Sequence, residues 1–423
     1  MKRKLLMGLV GLAMAAGLAG VVAQSGTGKL VYNSDASDPA PKAFDIKTVA
    51  AFKAKYPGIE MTHNTVDHES FKQAIRTYLA SDNPPDVLTW FAGNRMRFFS
   101  SKNLAADISS VWKDNGWEKT FPKGFQALSQ DKGKYVFLPT SYYWWAMYYR
   151  KDIFAKYGLK EAKTWNDFLG LCRSLNKVGV TPIMTGSKFL WPLGGWFDFL
   201  DMRVNGPQFH VDVTDGKIAY TDRRVKKVFT YWKQLLDNKC FLENSASYDW
   251  QDAAQLMTQG KGAMYLMGDF IRDQWKDGLE ASQLDFFRFP IINAKMPIGE
   301  EAPTDGYFVP AKAPNVENAK FFMGYLGSKE TMEQGAKDLG RLVPRNDIDK
   351  NLYASKPQIA KAQATVIEPA DYIAQFYDRD TDPEMANIGM KGFQQFMQDP
   401  SQLNNILKNL EATRERIYGK IGQ

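Results

Sequence analysis

The chain has 423 residues, 13% of them aromatic, with 54 Lys and Arg against 47 Asp and Glu for a formal charge of +7. So small an excess, with no concentrated basic stripe, excludes the footprint of a nucleic-acid binder. Three histidines (His63, His68, His210) and two cysteines without ligand spacing exclude a zinc site, and no Gly-X-Ser-X-Gly or glycine-rich phosphate loop points to catalysis or to a cofactor.

The first 23 residues carry Lys2, Arg3 and Lys4, an apolar run from Leu5, and small residues ending Val21-Val22-Ala23. This is the layout of a signal peptide cleaved after Ala23, and no cysteine there accepts a lipid, so a released periplasmic or secreted protein is expected. Beyond it no run reaches the roughly 20 apolar residues of a membrane helix. A mature chain of about 400 residues exceeds what one core serves, which predicts two lobes.

From Lys29 a short apolar strand empties into the polar loop 33–39, the position where open α/β sheets bind ligands. A helix is expected over Phe44–Tyr56, stopped by Pro57-Gly58, then a strand at 58–62 and a loop through His68 and Glu69. A helix over Ser70–Ser81, a strand at Asp86–Trp90 and a loop through Asn94 and Arg95 follow, with Arg95 and Arg97 expected to be solvated. This alternation predicts a mostly parallel sheet covered by helices.

After Leu138-Pro139 the alternation restarts. Helices are expected at 151–157, 164–178 (Thr164 as N-cap, Asp167 three later), 222–238 and 250–259, with strands at 182–184 and 263–267. The strand Gly306-Tyr307-Phe308-Val309-Pro310 looks like a return to the first lobe. The tail from Lys356 is largely helical, interrupted by the acidic, aromatic piece Tyr372–Asp382. Asp378, Asp380 and Asp382 alternate as calcium ligands do but lack the glycine and terminal Glu of an EF-hand. Lobes of 24–138 plus 303–345, and of 139–302 plus 346–423, result. Cys172 and Cys240 either pair or remain separate buried thiols; a bridge closes a loop of about 68 residues, on the order of 4 kcal/mol.

Within Tyr142–Tyr149 six of eight residues are Tyr or Trp. Buried Trp and Tyr need partners for their N–H and O–H, which suits a cleft wall better than a core. Flat rings beside polar groups suit a pyranose, whose C–H faces stack and whose hydroxyls hydrogen-bond. In a regular strand Tyr143 and Trp145 share one face and Trp144 takes the other.

Four segments in register resemble the extracellular solute-binding proteins, family 1, of bacterial ABC importers. They are Tyr148–Leu159, Lys163-Thr164-Trp165-Asn166-Asp167-Phe168, Gln259–Met264 with Met267-Gly268-Asp269-Phe270, and Asp305–Pro310 with Ala319-Lys320 and Leu326–Glu330. The resemblance covers nearly the whole mature chain. It implies a two-lobed α/β fold of the type II, maltose-binding-protein-like kind with a hinge between lobes. It also implies a carbohydrate ligand held in the gap without a cofactor, and a monomer that docks transiently on a membrane permease. A glucose-binding branch carries cysteines on the same two helices, which favours the bridge. Phe270 stands where many relatives have Trp, so stacking there is expected to be weaker or shifted.

Carried over position by position, the resemblance nominates Asp35, His68, Trp90 and Asn94 from the first strand ends. From the second lobe it nominates Tyr143, Trp145, Trp191, Trp196, Trp250 and Asp269, with Trp191 and Trp196 framing a flexible Pro-Leu-Gly-Gly loop. Asp305, Arg341 and Tyr377 complete the set. Several have a plain structural alternative: Asp35 and Asp305 as turn or cap residues, Arg341 as partner of a surface acid. A rival reading makes the chain a secreted glycoside-active enzyme with Asp269 and Asp305 as a carboxylate pair, which requires them roughly 5 to 10 Å apart across one bond.

Overall fold

The computed structural model describes residues 26–275, 279–349 and 351–421. The expected signal peptide, residues 1–23, lies outside the described residues. None of the described helices is long and apolar enough to cross a membrane.

Two sheets organise the chain. The first runs in the order Ile59–Thr65, Gly28–Ser34, Val87–Phe91, Thr304–Phe308, Leu138–Tyr142. Its first three strands are parallel, and Thr304–Phe308 lies antiparallel to both its neighbours. The second runs Leu284–Phe287, Trp145–Arg150, Gly262–Gly268, Thr181–Met184. The three parallel strands of the first sheet are what the alternating pattern predicts, whereas in the second sheet Trp145–Arg150 lies antiparallel to both its neighbours and Thr181–Met184 pairs parallel with Gly262–Gly268.

The aromatic stretch is not one regular strand. Leu138–Tyr142 pairs in the first sheet and Trp145–Arg150 in the second, so the chain changes sheets at Tyr143-Trp144. Both crossing residues are tied down: Tyr143 donates its N–H to the Pro303 carbonyl at 3.3 Å, and the Trp144 carbonyl accepts from Asp269 at 3.1 Å. The same few rings therefore serve two cores and the seam between them.

The return strand inserts between Val87–Phe91 and Leu138–Tyr142. A Cβ at Gly306 would stand 1.9 Å from the Leu138 carbonyl oxygen, a contact only glycine avoids. The pairing slips between Asp305 and Gly306, a bulge that re-aims the Asp305 side chain.

Helix starts follow local chemistry. Pro39–Lys55 begins before the expected Phe44 because Pro39 and Pro41 fit a first turn, where a missing N–H costs nothing. His68–Ala80 begins at His68 rather than Ser70: Asp67 is the cap, accepting from the Ser70 amide at 2.9 Å. Thr164 caps Trp165–Lys177 with the reciprocal Asp167 contact of a capping box. The supposed Trp191–Trp196 loop is the start of a helix, Pro192–Asn205, with proline in its first turn. A Cβ at Gly195 would meet the Trp145 ring at 2.9 Å, so that glycine admits the close approach of helix to ring. Cys172 and Cys240 form a disulfide with Cα atoms 5.2 Å apart.

Candidate functional site

A cavity of about 320 Å³ opens between the sheets, lined by residues of both. Of the nominated residues it gathers Asp35, His68, Trp90, Tyr143, Trp145, Trp191, Trp250, Asp305 and Arg341.

One wall is polar. Asp35 follows the first strand, its carboxylate 2.9 Å from His68 Nδ1 and its amide donating to the Thr89 hydroxyl at 3.0 Å. Burial pushes the Asp35 carboxyl up, but the His68 and Thr89 contacts outweigh it and hold it below the ordinary carboxylate value. Asp305 accepts from Arg379 at 2.8 Å and lies 4.0 Å from Arg341. Arg379 also donates to the Tyr143 hydroxyl at 2.8 Å and lies over the Phe91 ring at 4.3 Å. Burial works against both guanidinium charges, yet neighbouring acids and the Tyr143 hydroxyl raise the Arg341 and Arg379 pKa values.

The other wall is aromatic. Trp145 packs on Phe376 with ring centroids 4.7 Å apart and meets Trp191 edge-on at 6.0 Å. Trp250 opens the helix Trp250–Thr258, capped by Asp249, and meets Phe270 edge-on at 5.0 Å. Phe270 touches Tyr143, Trp145, Trp191 and Trp250 at once, so the residue that departs from the family's Trp is the centre of the wall. The indole N–H of Trp145 finds no acceptor among the described residues, while that of Trp191 donates to Glu69 of the opposite wall at 3.1 Å.

Four nominated residues lie off the cavity lining. Asn94 spends both ends of its amide in the fold, donating to the Asp380 carbonyl and accepting from Arg97. Trp196 is fully buried, edge-on to Phe241 and Phe289, because it lies inside a helix rather than a loop. Tyr377 is also fully buried, its hydroxyl 2.6 Å from that of Tyr220. Asp269 pairs with Arg272 at 3.2 Å, and burial pushes its carboxyl up to about 6. The carboxylate-pair reading thereby loses both members: Asp269 is off the lining and Asp305 is bound by Arg379.

Arg95 is not solvated. It pairs with Asp378 at 2.8 Å and stands over the Trp90 and Phe91 rings, while Arg97 donates to the carbonyls of Gln130 and Ala127. Sequence reading missed Arg379 and Phe376, whereas Glu69, weighed beside His68 as a hydrogen-bond candidate, does line the cavity. The one available signal for Arg379 was a single cation set between Asp378 and Asp380. Trp90 reaches the lining from the smaller apolar cluster, where it packs on Phe71, Phe91 and Phe99. Among the described residues no group of three or more side chains is suited to hold a metal ion.

Comparison with known proteins gives a consistent picture. The family model of the bacterial extracellular solute-binding protein matches residues 35–333. An uncharacterized ABC transporter extracellular-binding protein of Pyrococcus horikoshii is 27% identical over 74% of this chain and 70% of its own length. A probable sugar-binding periplasmic protein of Mesorhizobium japonicum is 25% identical over 51% of this chain and 52% of its own. Among solved structures, a bacterial solute receptor described as having an exclusive preference for b-D-galactopyranose superposes with a TM-score of 0.86 at 30% identity, covering 93% of this chain and 100% of that one.

Proposed function

This chain belongs to the bacterial extracellular solute-binding proteins, receptors of ABC transporters and not enzymes, and from that premise we propose that it captures a mono- or short oligosaccharide between its lobes. The observation that carries the reading is the opposition of the two walls. Trp145, Trp191, Trp250 and Phe270 offer faces and edges to the C–H surfaces of a pyranose. Asp35, His68, Asp305, Arg341 and Arg379 offer polar donors and acceptors to its hydroxyls.

The cavity of about 320 Å³ is at the small end of ligand sites, which run from about 300 to 1,000 Å³. A single hexopyranose is therefore the first candidate, and the galactopyranose preference described for the 30%-identical receptor makes that sugar the first to try. Ligand biases an equilibrium between open and closed lobes, and the closed form docks, as a monomer, on a membrane permease. The Trp191 to Glu69 hydrogen bond joins the two walls across the cleft. The lobes follow the expected division of 24–138 with 303–345 and 139–302 with 346–423, except that Leu138–Tyr142 pairs beside Thr304–Phe308 in the first sheet, which carries the first boundary on to Tyr143.

The test is a titration of intrinsic Trp emission, followed by calorimetry, against neutral hexoses and their short oligomers. Saturable binding of at least one, without product formation, is the expected result. Unchanged emission and unchanged melting with every saccharide overturns the proposal.

A further inference from the structure

The cleft is lined by eight carboxylates against three permanent cations, Lys72, Arg341 and Arg379. Most of the acids are matched. Asp35 faces His68, Glu69 faces Lys72 at 2.9 Å, Asp378 faces Arg95, and Asp305 faces Arg379. Asp45 accepts hydrogen bonds from Tyr32 and Ser34, and Asp67 accepts from both the amide and the hydroxyl of Ser70. Arg341 is no spare cation, since Asp269, Asp305 and Asp273 all act on it.

Two acids remain. Asp38 and Asp249 sit at the starts of the helices Pro39–Lys55 and Trp250–Thr258, on opposite sides of the cleft, and each lines it. Neither forms an ion pair with any described residue. The Asp38 side chain makes no capping bond, and that of Asp249 accepts only from the Asp252 amide at 2.8 Å. A small, partly enclosed cleft with an uncompensated excess of one sign focuses its field on whatever enters.

We infer that the cleft sorts sugars by charge: neutral and ammonium-bearing pyranoses are accepted, whereas sugars carrying a carboxylate or phosphate are refused, with Asp38 and Asp249 supplying the uncompensated charge. The inference rests on the saccharide reading above and narrows it. Hydroxyl recognition belongs to the acids held by other groups, while rejection belongs to Asp38 and Asp249, which no cation faces within ion-pair distance. A ligand ammonium gains from the same field that repels a uronate.

Calorimetry on the full mature protein compares a neutral hexose, the corresponding uronate, the 6-phosphate and the 2-amino sugar, at low and high salt. The uronate and phosphate are expected to bind at least about tenfold more weakly than the parent, the amino sugar equally or more tightly, and the gap is expected to narrow in salt. The double variant Asp38→Asn/Asp249→Asn is expected to shrink the gap between hexose and uronate. Asparagine caps helices as well as aspartate does, so the fold is retained, and circular dichroism checks that. Equal affinity for hexose and uronate, or a gap that neither salt nor the double variant alters, overturns the inference while leaving saccharide binding intact. Failure of every neutral hexose and oligomer to bind overturns the saccharide reading and this inference with it.

Discussion

The two walls of the cleft are made of different chemistry and held by different means. The polar wall is a set of polar groups that satisfy one another: Asp35 with His68, and Asp305 with Arg379 and Arg341. The aromatic wall is a set of rings that pack on one another around Phe270 and need no polar partner to stay in place. Polar preorganisation gives direction and therefore selectivity, because each group is already oriented and a wrong ligand leaves it unpaired. Ring packing gives area and rigidity, and therefore affinity, at little entropic cost. The difference teaches that perturbing the first wall should change fold integrity and ligand choice together, while perturbing the second should mainly change binding strength.

The comparison is broken most severely at Arg379. One buried guanidinium satisfies both Asp305 and the Tyr143 hydroxyl and covers the Phe91 ring, so Arg379→Ala leaves a half-buried acid without its closest cation. A loss on the order of 3 kcal/mol is expected, divided between ligand affinity and thermal stability. Calorimetry and melting curves read the two parts. An affinity loss without any stability loss would mean the polar wall is not self-satisfying.

Trp250→Ala sharpens the other side. Removing one ring from a wall in which Phe270 and Trp191 still pack should weaken sugar binding by about 1 to 3 kcal/mol and leave cooperative unfolding in place. Unchanged affinity would remove Trp250 from the ligand's surroundings and shift the stacking to Trp145 and Trp191.

The smallest effect compares the sides by pH. Asp269, beside the aromatic wall, has its carboxyl pushed by burial up to about 6, so the native state favours its neutral form. Its contribution to stability is full below the ordinary carboxylate value and is lost as pH rises toward about 6. Asp35, on the polar wall, is held below its ordinary value, so its contribution is present above that value and lost as pH falls. Asp269→Asn should therefore match the parent protein near pH 4 and exceed it in melting temperature at neutral pH. Asp35→Asn should be less stable at neutral pH and converge with the parent in acid. Neither difference should grow by more than about 1.4 kcal/mol per pH unit, the limit for one proton. Parallel rather than opposite trends would show that the two acids share an environment.

The residues that sequence reading placed correctly on the lining are mostly those at strand ends and helix starts. Asp35 ends a strand that a short apolar run announces, and Trp250 begins a helix with a clear cap. The failures are equally specific. Trp196 and Tyr377 are polar-tipped aromatics, the type that suits a cleft, but Trp196 fell inside a helix whose glycines looked like a loop, and Tyr377 found its partner in Tyr220, 157 positions away. Asn94 and Asp269 were consumed by contacts with Asp380 and Arg272. Arg379 was passed over because its partners Asp305 and Tyr143 are 74 and 236 positions distant.

The sequence alone determined the alternation of strands and helices, the capped helix start at Thr164, and the concentration of rings near position 145. These depend on periodicity, caps and composition, which act over a few residues. Only the tertiary structure decided that the ring-rich stretch divides between two sheets at Tyr143-Trp144, which acids meet a cation, and which rings face the gap instead of a core. Those outcomes depend on pairs of side chains brought together across hundreds of positions, and no local pattern encodes the partner of a charge.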